Sequence, residues 1–169
     1  MRRYITWFIV VVAAALIQTT WLDAIRLQGV LPDLAILLVV FFAISQGEER
    51  AMFTGALAGM YQDVTGNAVL GHHVLCLVVV GYMVGRIARR LVLEHPIIKV
   101  VLVMCASTIS GILFTIIQYV QTPRIHPFHD IAVNVIPAAF YTALVTPIAF
   151  ALLGLIFRRT DETFAGSMP

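Results

Sequence analysis

The chain has 169 residues, 60% of them hydrophobic and only 12% charged, with a formal net charge of +2 and a mean hydropathy of +0.95. Apolar runs close to the roughly twenty residues that cross about 30 Å of hydrocarbon recur along nearly its whole length, which excludes an ordinary soluble domain. No long basic run points to nucleic acid. Cys76 and Cys105 both fall inside apolar segments, where they read as small hydrophobes and not as a disulfide framework or metal site.

The first segment, MRRYITWFIVVVAAALIQTTWL, has the basic start of a signal peptide. Its apolar run continues to Leu22 and more hydrophobic segments follow, so a retained helix is expected over Tyr4 to Leu22. The second, Leu31 to Ser45, opens on Pro32-Asp33. Proline tolerates the first turn of a helix and a carboxylate suits its positive end, so helix initiation accounts for Asp33. The third, Ala51 to Val64, is the weakest: its fourteen residues reach only about 21 Å, so it must extend into its flanks or be a half-span shielded by neighbours.

Two further helices are expected over Val69 to Arg86 and Ile97 to Val120, followed by the turn QTPRIHPFHD, whose prolines and ring side chains suit the headgroup level. The sixth, Ile131 to Phe157, carries Pro137 and Pro147, which predict a kink or an interfacial stretch feeding a shorter span. The fold class is therefore all-α, a polytopic membrane bundle of about six transmembrane helices. Residues 1–160 form one transmembrane domain, and 161–169 a short polar tail expected to fray.

Charge placement checks this count, because cytoplasmic loops are rich in Lys and Arg. Threading six spans from an inside N-terminus puts Arg2, Arg3, Arg50, Arg86, Arg89, Arg90, Lys99, Arg158 and Arg159 in the cytoplasm. Only Arg26 and Arg124 are left outside, nine against two. Both termini are then cytoplasmic. Arg86, Arg89 and Arg90 form a basic cuff where the fourth helix leaves the membrane; positive-inside anchoring explains it, and docking of a cytoplasmic protein is the alternative.

Gly47, Ala51, Gly55 and Gly59 recur every fourth residue along one face. Lipid tails give two helices little reason to associate, and close backbone packing across small residues supplies one. The fourth helix answers with Gly81 and Gly85, and the fifth with Ser107, Gly111, Thr115 and Gln118. Intramolecular packing of the third, fourth and fifth helices is the expected use, with a homodimer interface as the alternative.

The same spacing ends on Asp63, an acid at the negative end of a helix, which needs compensation. The next helix begins a few residues on, so its free amides are the expected recipient of the carboxylate, with His72 and His73 one turn in. Recognition of a ligand or partner is the alternative. The threading puts Asp33 and Asp63 on the same outer side, making Asp33, Asp63, His72 and His73 a candidate polar pocket. His72 and His73 are about 100° apart around a helix and do not converge on one metal. There is no phosphate-cradling loop with a lysine, no nucleophile with a base, and no zinc signature, so no catalytic residue is assigned.

The stretch PDLAILLVVFFAISQGEERAMFTGALAGMYQDVTGNAVLG, followed by GYMVGRIARR and later PIAFALLGLIFRR, resembles the bacterial MreD family of rod-shape-determining membrane proteins. The matching features are Pro32-Asp33, Gly47, Gly55, Gly59, Asp63, Gly66, Gly71, Gly81, Tyr82, Gly85 and Arg86, concentrated in residues 30–90. Gln62 departs from the apolar residue expected before the acid. The resemblance implies a non-enzymatic component of the cell-elongation and peptidoglycan-synthesis machinery of the inner membrane, with no cofactor. It implies MreC as direct partner, and MreB, RodA and a class B penicillin-binding protein in the wider assembly.

It also implies a fold similar to the substrate-binding subunits of energy-coupling-factor transporters, six helices around an outward-facing pocket with Asp33 and Asp63 near its mouth. The expected mechanism is scaffolding, in which the glycine-faced bundle presents a lipid-level groove to MreC's helix and the arginine cuff meets cytoplasmic partners. A substrate-binding membrane subunit of a small-molecule transporter is the alternative, and an intramembrane enzyme acting on a lipid carrier is a third reading.

Overall fold

The computed structural model describes residues 2–20, 32–66, 71–90, 95–121 and 131–165, and all regular structure among them is helical. Six helices follow in order: α1 (Arg2–Thr20), α2 (Leu34–Gln46), α3 (Glu48–Thr65), α4 (His72–Ala88), α5 (Pro96–Gln121) and α6 (Ile136–Ala165), the last entered through a π-helical turn, Ile131–Val135. All of the QTPRIHPFHD turn beyond Gln121, residues 122–130 with Arg124 among them, lies outside the described residues, as does Arg26. Helix α5 and the stretch Ile131–Phe157 are each long and apolar enough to cross a membrane, whereas α2 and α4 are apolar but shorter.

Helix α3 is longer than its apolar run predicts, because Glu48, Glu49 and Arg50 are already helical. Its 18 residues span about 27 Å. Gly47 makes this possible: at φ 92° and ψ −179° it occupies backbone space closed to side-chain-bearing residues, ending α2 and starting α3 in one step. The two glutamates then sit at the positive end of α3. At the other end of the chain helical backbone runs to Ala165, into the stretch expected to fray. The π turn stands directly before Pro137, whose missing N–H removes a helical hydrogen bond there, while Pro147 lies inside α6.

Helix α2 is the hub, packing against all five others, and Ala35 through Ala43 are buried without a break. A helix apolar all round belongs in such a place. Around it pack Ala51 and Ala58 of α3, Leu77, Val80 and Val84 of α4, and Leu102, Val103 and Ala106 of α5. A second cluster joins Val11, Phe41 and Phe42 to Trp7, Phe150 and Phe157, with edge-on aromatic pairs such as Phe41–Phe150 at 5.4 Å between centroids. Trp7 Nε1 donates to Thr54 Oγ1 at 2.9 Å, tying α1 to α3. Thr54→Val keeps the shape and removes that acceptor, so it is expected to cost about 0.5–1.5 kcal/mol and to shift Trp7 fluorescence; an unchanged emission spectrum would refute the bond.

Helices α3 and α4 form the most extensive pair, antiparallel and backbone to backbone. A Cβ on Gly55 would lie 2.7 Å from the Leu77 carbonyl oxygen, and one on Gly59 would lie 2.6 Å from Val74 Cα and N. From the other side, a Cβ on Gly81 would meet the Ala51 backbone at 3.0 Å, and one on Gly85 the Glu48 Cα at 2.5 Å. The small-residue stripe is thus filled by α4, so it is not an open groove for another protein's helix. Three expected members lie elsewhere. Gly47 is the α2–α3 junction, and α5 turns Ser107 and Gly111 away from this contact, Gly111 lying against the Val135 side chain of the π turn.

Candidate functional site

Asp63 is the last inward residue of α3, and its side chain is fully buried. The chain re-enters helix at Gly71, in left-handed conformation at φ 101°, and no side chain of α4's own start caps the helix. Asp63 supplies that cap from the neighbouring helix. Its Oδ2 accepts from the Gly71 and Val74 amides at 2.8 and 3.3 Å, and its Oδ1 from the His73 amide at 3.0 Å. His73 Nδ1 approaches the same Oδ1 at 2.9 Å. An ionised carboxylate only accepts, so this contact places a proton on Nδ1. A charge that would be costly in lipid is thereby spread over three amides of a helix N-terminus and one imidazole.

Asp33 caps α2 in the ordinary way, its Oδ1 accepting from Ala35 N at 2.9 Å and Ile36 N at 3.4 Å. Its own amide donates to Thr142 Oγ1 at 3.0 Å, in the body of α6, so α2 starts inside the bundle. Gln62, the residue before Asp63, reaches the other acid: its Nε2 donates to Asp33 Oδ1 at 3.2 Å. The polar residue that breaks the pattern before Asp63 is therefore a tie from α3 to the start of α2.

A cavity of about 340 Å³ opens beside Asp33. Gln18, His73, Ser107, Ser110, Thr115 and Asn134 supply its other polar lining, and Pro32, Ile36, Phe114, Val135 and Ala138 much of its apolar wall. The His73 ring lies against Phe114 at 4.4 Å between centroids. Of the four residues expected to share an outer polar pocket, Asp33 and His73 line the cavity. Asp63 stands behind His73. His72 points elsewhere, pairing through Nε2 with Gln121 Nε2 at 2.8 Å and meeting Phe114 edge-on. Adjacency on a helix is the reason for that divergence.

The polar cavity residues not singled out in the sequence, Gln18, Ser110 and Asn134, come from α1, α5 and the π turn before α6. Ser107 and Gly111 were legible as a stripe, and Ser110 falls on it at the same spacing. At the opposite end of the bundle Arg89 pairs with Glu48 at 3.2 Å, linking α4 to α3. Arg86 and Arg90 are exposed there, and Arg50 bonds Gln46. Between α1 and α3 runs an apolar groove of about 290 Å³, lined by Phe8, Val12, Leu16, Leu57, Met60 and Val64 among others.

Against known proteins, the family model described as MreD, rod shape-determining protein MreD, matches residues 1–159. No curated protein and no solved structure gave a significant match.

Proposed function

The chain belongs to the MreD family of rod shape-determining proteins, bacterial membrane proteins, and from that premise we propose that it is a non-enzymatic scaffold of the cell-elongation machinery that binds the single membrane helix of MreC. The observation that carries this reading is the α1–α3 groove. It is apolar along its length, lies on the outside of a bundle whose glycine contacts are already filled, and is flanked by exposed Phe8, Leu16 and Met60. A single apolar helix fits such a trough, with dispersion as the attraction and no polar group stranded in lipid.

In this reading the chain is a multi-pass protein of the inner membrane with both termini cytoplasmic, as the distribution of arginine and lysine favours. Exposed Arg86 and Arg90 then face the cytoplasm and its MreB filament, while RodA and the class B penicillin-binding protein join through MreC. Photocrosslinking groups at Val12 and Met60 are expected to capture MreC, and one at Ile148 on the outer face of α6 is expected to capture little. Capture from Ile148 with none from Val12 or Met60 would refute the groove. The cavity beside Asp33 is the observation that favours the alternative, a membrane subunit that binds a small molecule for transport.

A further inference from the structure

We propose that the cavity beside Asp33 binds a primary ammonium group, carried either by a small soluble amine or by an amine-bearing lipid headgroup. Among the described residues the lining contains one carboxylate and neither lysine nor arginine. Among the described residues Asp33 Oδ1 takes all three bonds made to the carboxylate, from Ala35, Ile36 and Gln62, and Oδ2 takes none. In its ionised form Asp33 carries a full negative charge, more than the roughly half-unit positive charge of the α2 N-terminus it caps, so a bound cation would be the partner that keeps it ionised.

The second, independent observation lies on α5. Buried helical hydroxyls ordinarily return a hydrogen bond to the carbonyl one turn back, as Thr54, Thr115, Thr142 and Thr146 do at 2.7–2.9 Å. Ser107 and Ser110, 6% and 7% exposed, line the cavity and make no hydrogen bond within the described structure. Leaving two hydroxyls unpaired in a buried site is unfavourable unless something fills the space between them.

Among the described residues the unused groups are thus a carboxylate oxygen, two hydroxyls, the Gln18 amide, and His73 Nε2, which keeps a lone pair in the tautomer protonated only at Nδ1. An ammonium has three donors and no acceptor and complements this set; a phosphate or carboxylate does not. About 340 Å³ is on the order of ten times the volume of a water molecule, too large for a bare monovalent ion. Ile36, Val135 and Ala138 would hold the carbon body of an organic amine.

The test uses the full chain and does not depend on MreC. Native mass spectrometry would follow its release from nanodiscs of equal phosphatidylethanolamine and phosphatidylglycerol. Ethanolamine, and ethylene glycol as its uncharged counterpart, would then be titrated onto the delipidated protein. Retention of phosphatidylethanolamine, or binding of ethanolamine, is expected to exceed that of the matching control by about tenfold, equivalent to one well-made charged hydrogen bond. Lipid retention without ethanolamine binding identifies a headgroup, and ethanolamine binding a soluble amine.

Asp33→Asn, which keeps a good helix cap, should abolish the preference, and Ser107→Ala/Ser110→Ala should weaken it several-fold. Equal binding of ethanolamine and ethylene glycol with no lipid preference, no retained amine of either kind, or a preference that survives both variants would overturn the proposal. If Asp33→Asn fails to fold, the serine variant decides alone.

Discussion

Gly59→Ala is expected to destabilise the bundle although it adds only one methyl group, while Gly154→Ala should leave stability unchanged or slightly improved. Both glycines are helical, so the change in intrinsic propensity is the same and favourable in each case, about 0.5–1 kcal/mol in water. They differ in what the new carbon meets. At Gly154 nothing lies within 4 Å, whereas at Gly59 the Cβ would stand 2.6 Å from backbone atoms of Val74. Backbone cannot swing aside as a side-chain tip does, so α4 must move bodily.

That movement also pulls Val74 and His73 away from Asp63, coupling an overpacking cost of about 1–3 kcal/mol to loss of the helix cap. Melting in detergent should fall by on the order of 5 °C for Gly59→Ala, and Gly55→Leu/Gly59→Leu should not yield a folded bundle. Equal melting temperatures for Gly59→Ala and Gly154→Ala would show that α3 and α4 do not pack as described.

The glycine stripe and the fate of Asp63 were legible in the amino-acid sequence because both are local. A spacing of four places residues on one helix face, and a short connection from Gly66 to Gly71 leaves the next helix start as the nearest donor of free amides. What spacing does not say is which neighbour covers a face. Ser107 and Gly111 share a stripe as expected, yet α5 turns it to the cavity and α6, because α2 fills the centre and holds α5 away from α3. Gln62 shows the same limit: its polarity was visible, but its bond to Asp33 crosses 29 positions. The depth at which α2 begins was likewise hidden, since only the bond from the Asp33 amide to Thr142 reveals it.

Asp63→Ala is expected to be the most damaging single polar substitution in the chain. The carboxylate holds the Gly71, His73 and Val74 amides and the His73 ring. Its removal leaves three donors at the head of α4 without their acceptor, those of His73 and Val74 in half-buried residues and that of Gly71 in an exposed one. Each unmet buried donor costs about 1–3 kcal/mol, and water reaching the exposed Gly71 end recovers part of this, so a net loss of about 2–4 kcal/mol is the expected scale.

Asp63→Asn should be only partly better, because half of its amide presents donors to donors and the charge that favours a helix N-terminus is gone. The discriminating measurement is hydrogen exchange at Gly71, His73 and Val74. If Asp63 is the cap, these amides exchange faster by orders of magnitude in Asp63→Ala, while those of Val80 to Gly85, deeper in α4, change much less. Uniform acceleration along α4 would instead mean that the helix depends on Asp63 as a whole. Unchanged exchange at all three amides would remove the carboxylate from the joint between α3 and α4, and with it the link from Asp63 through His73 to the cavity beside Asp33.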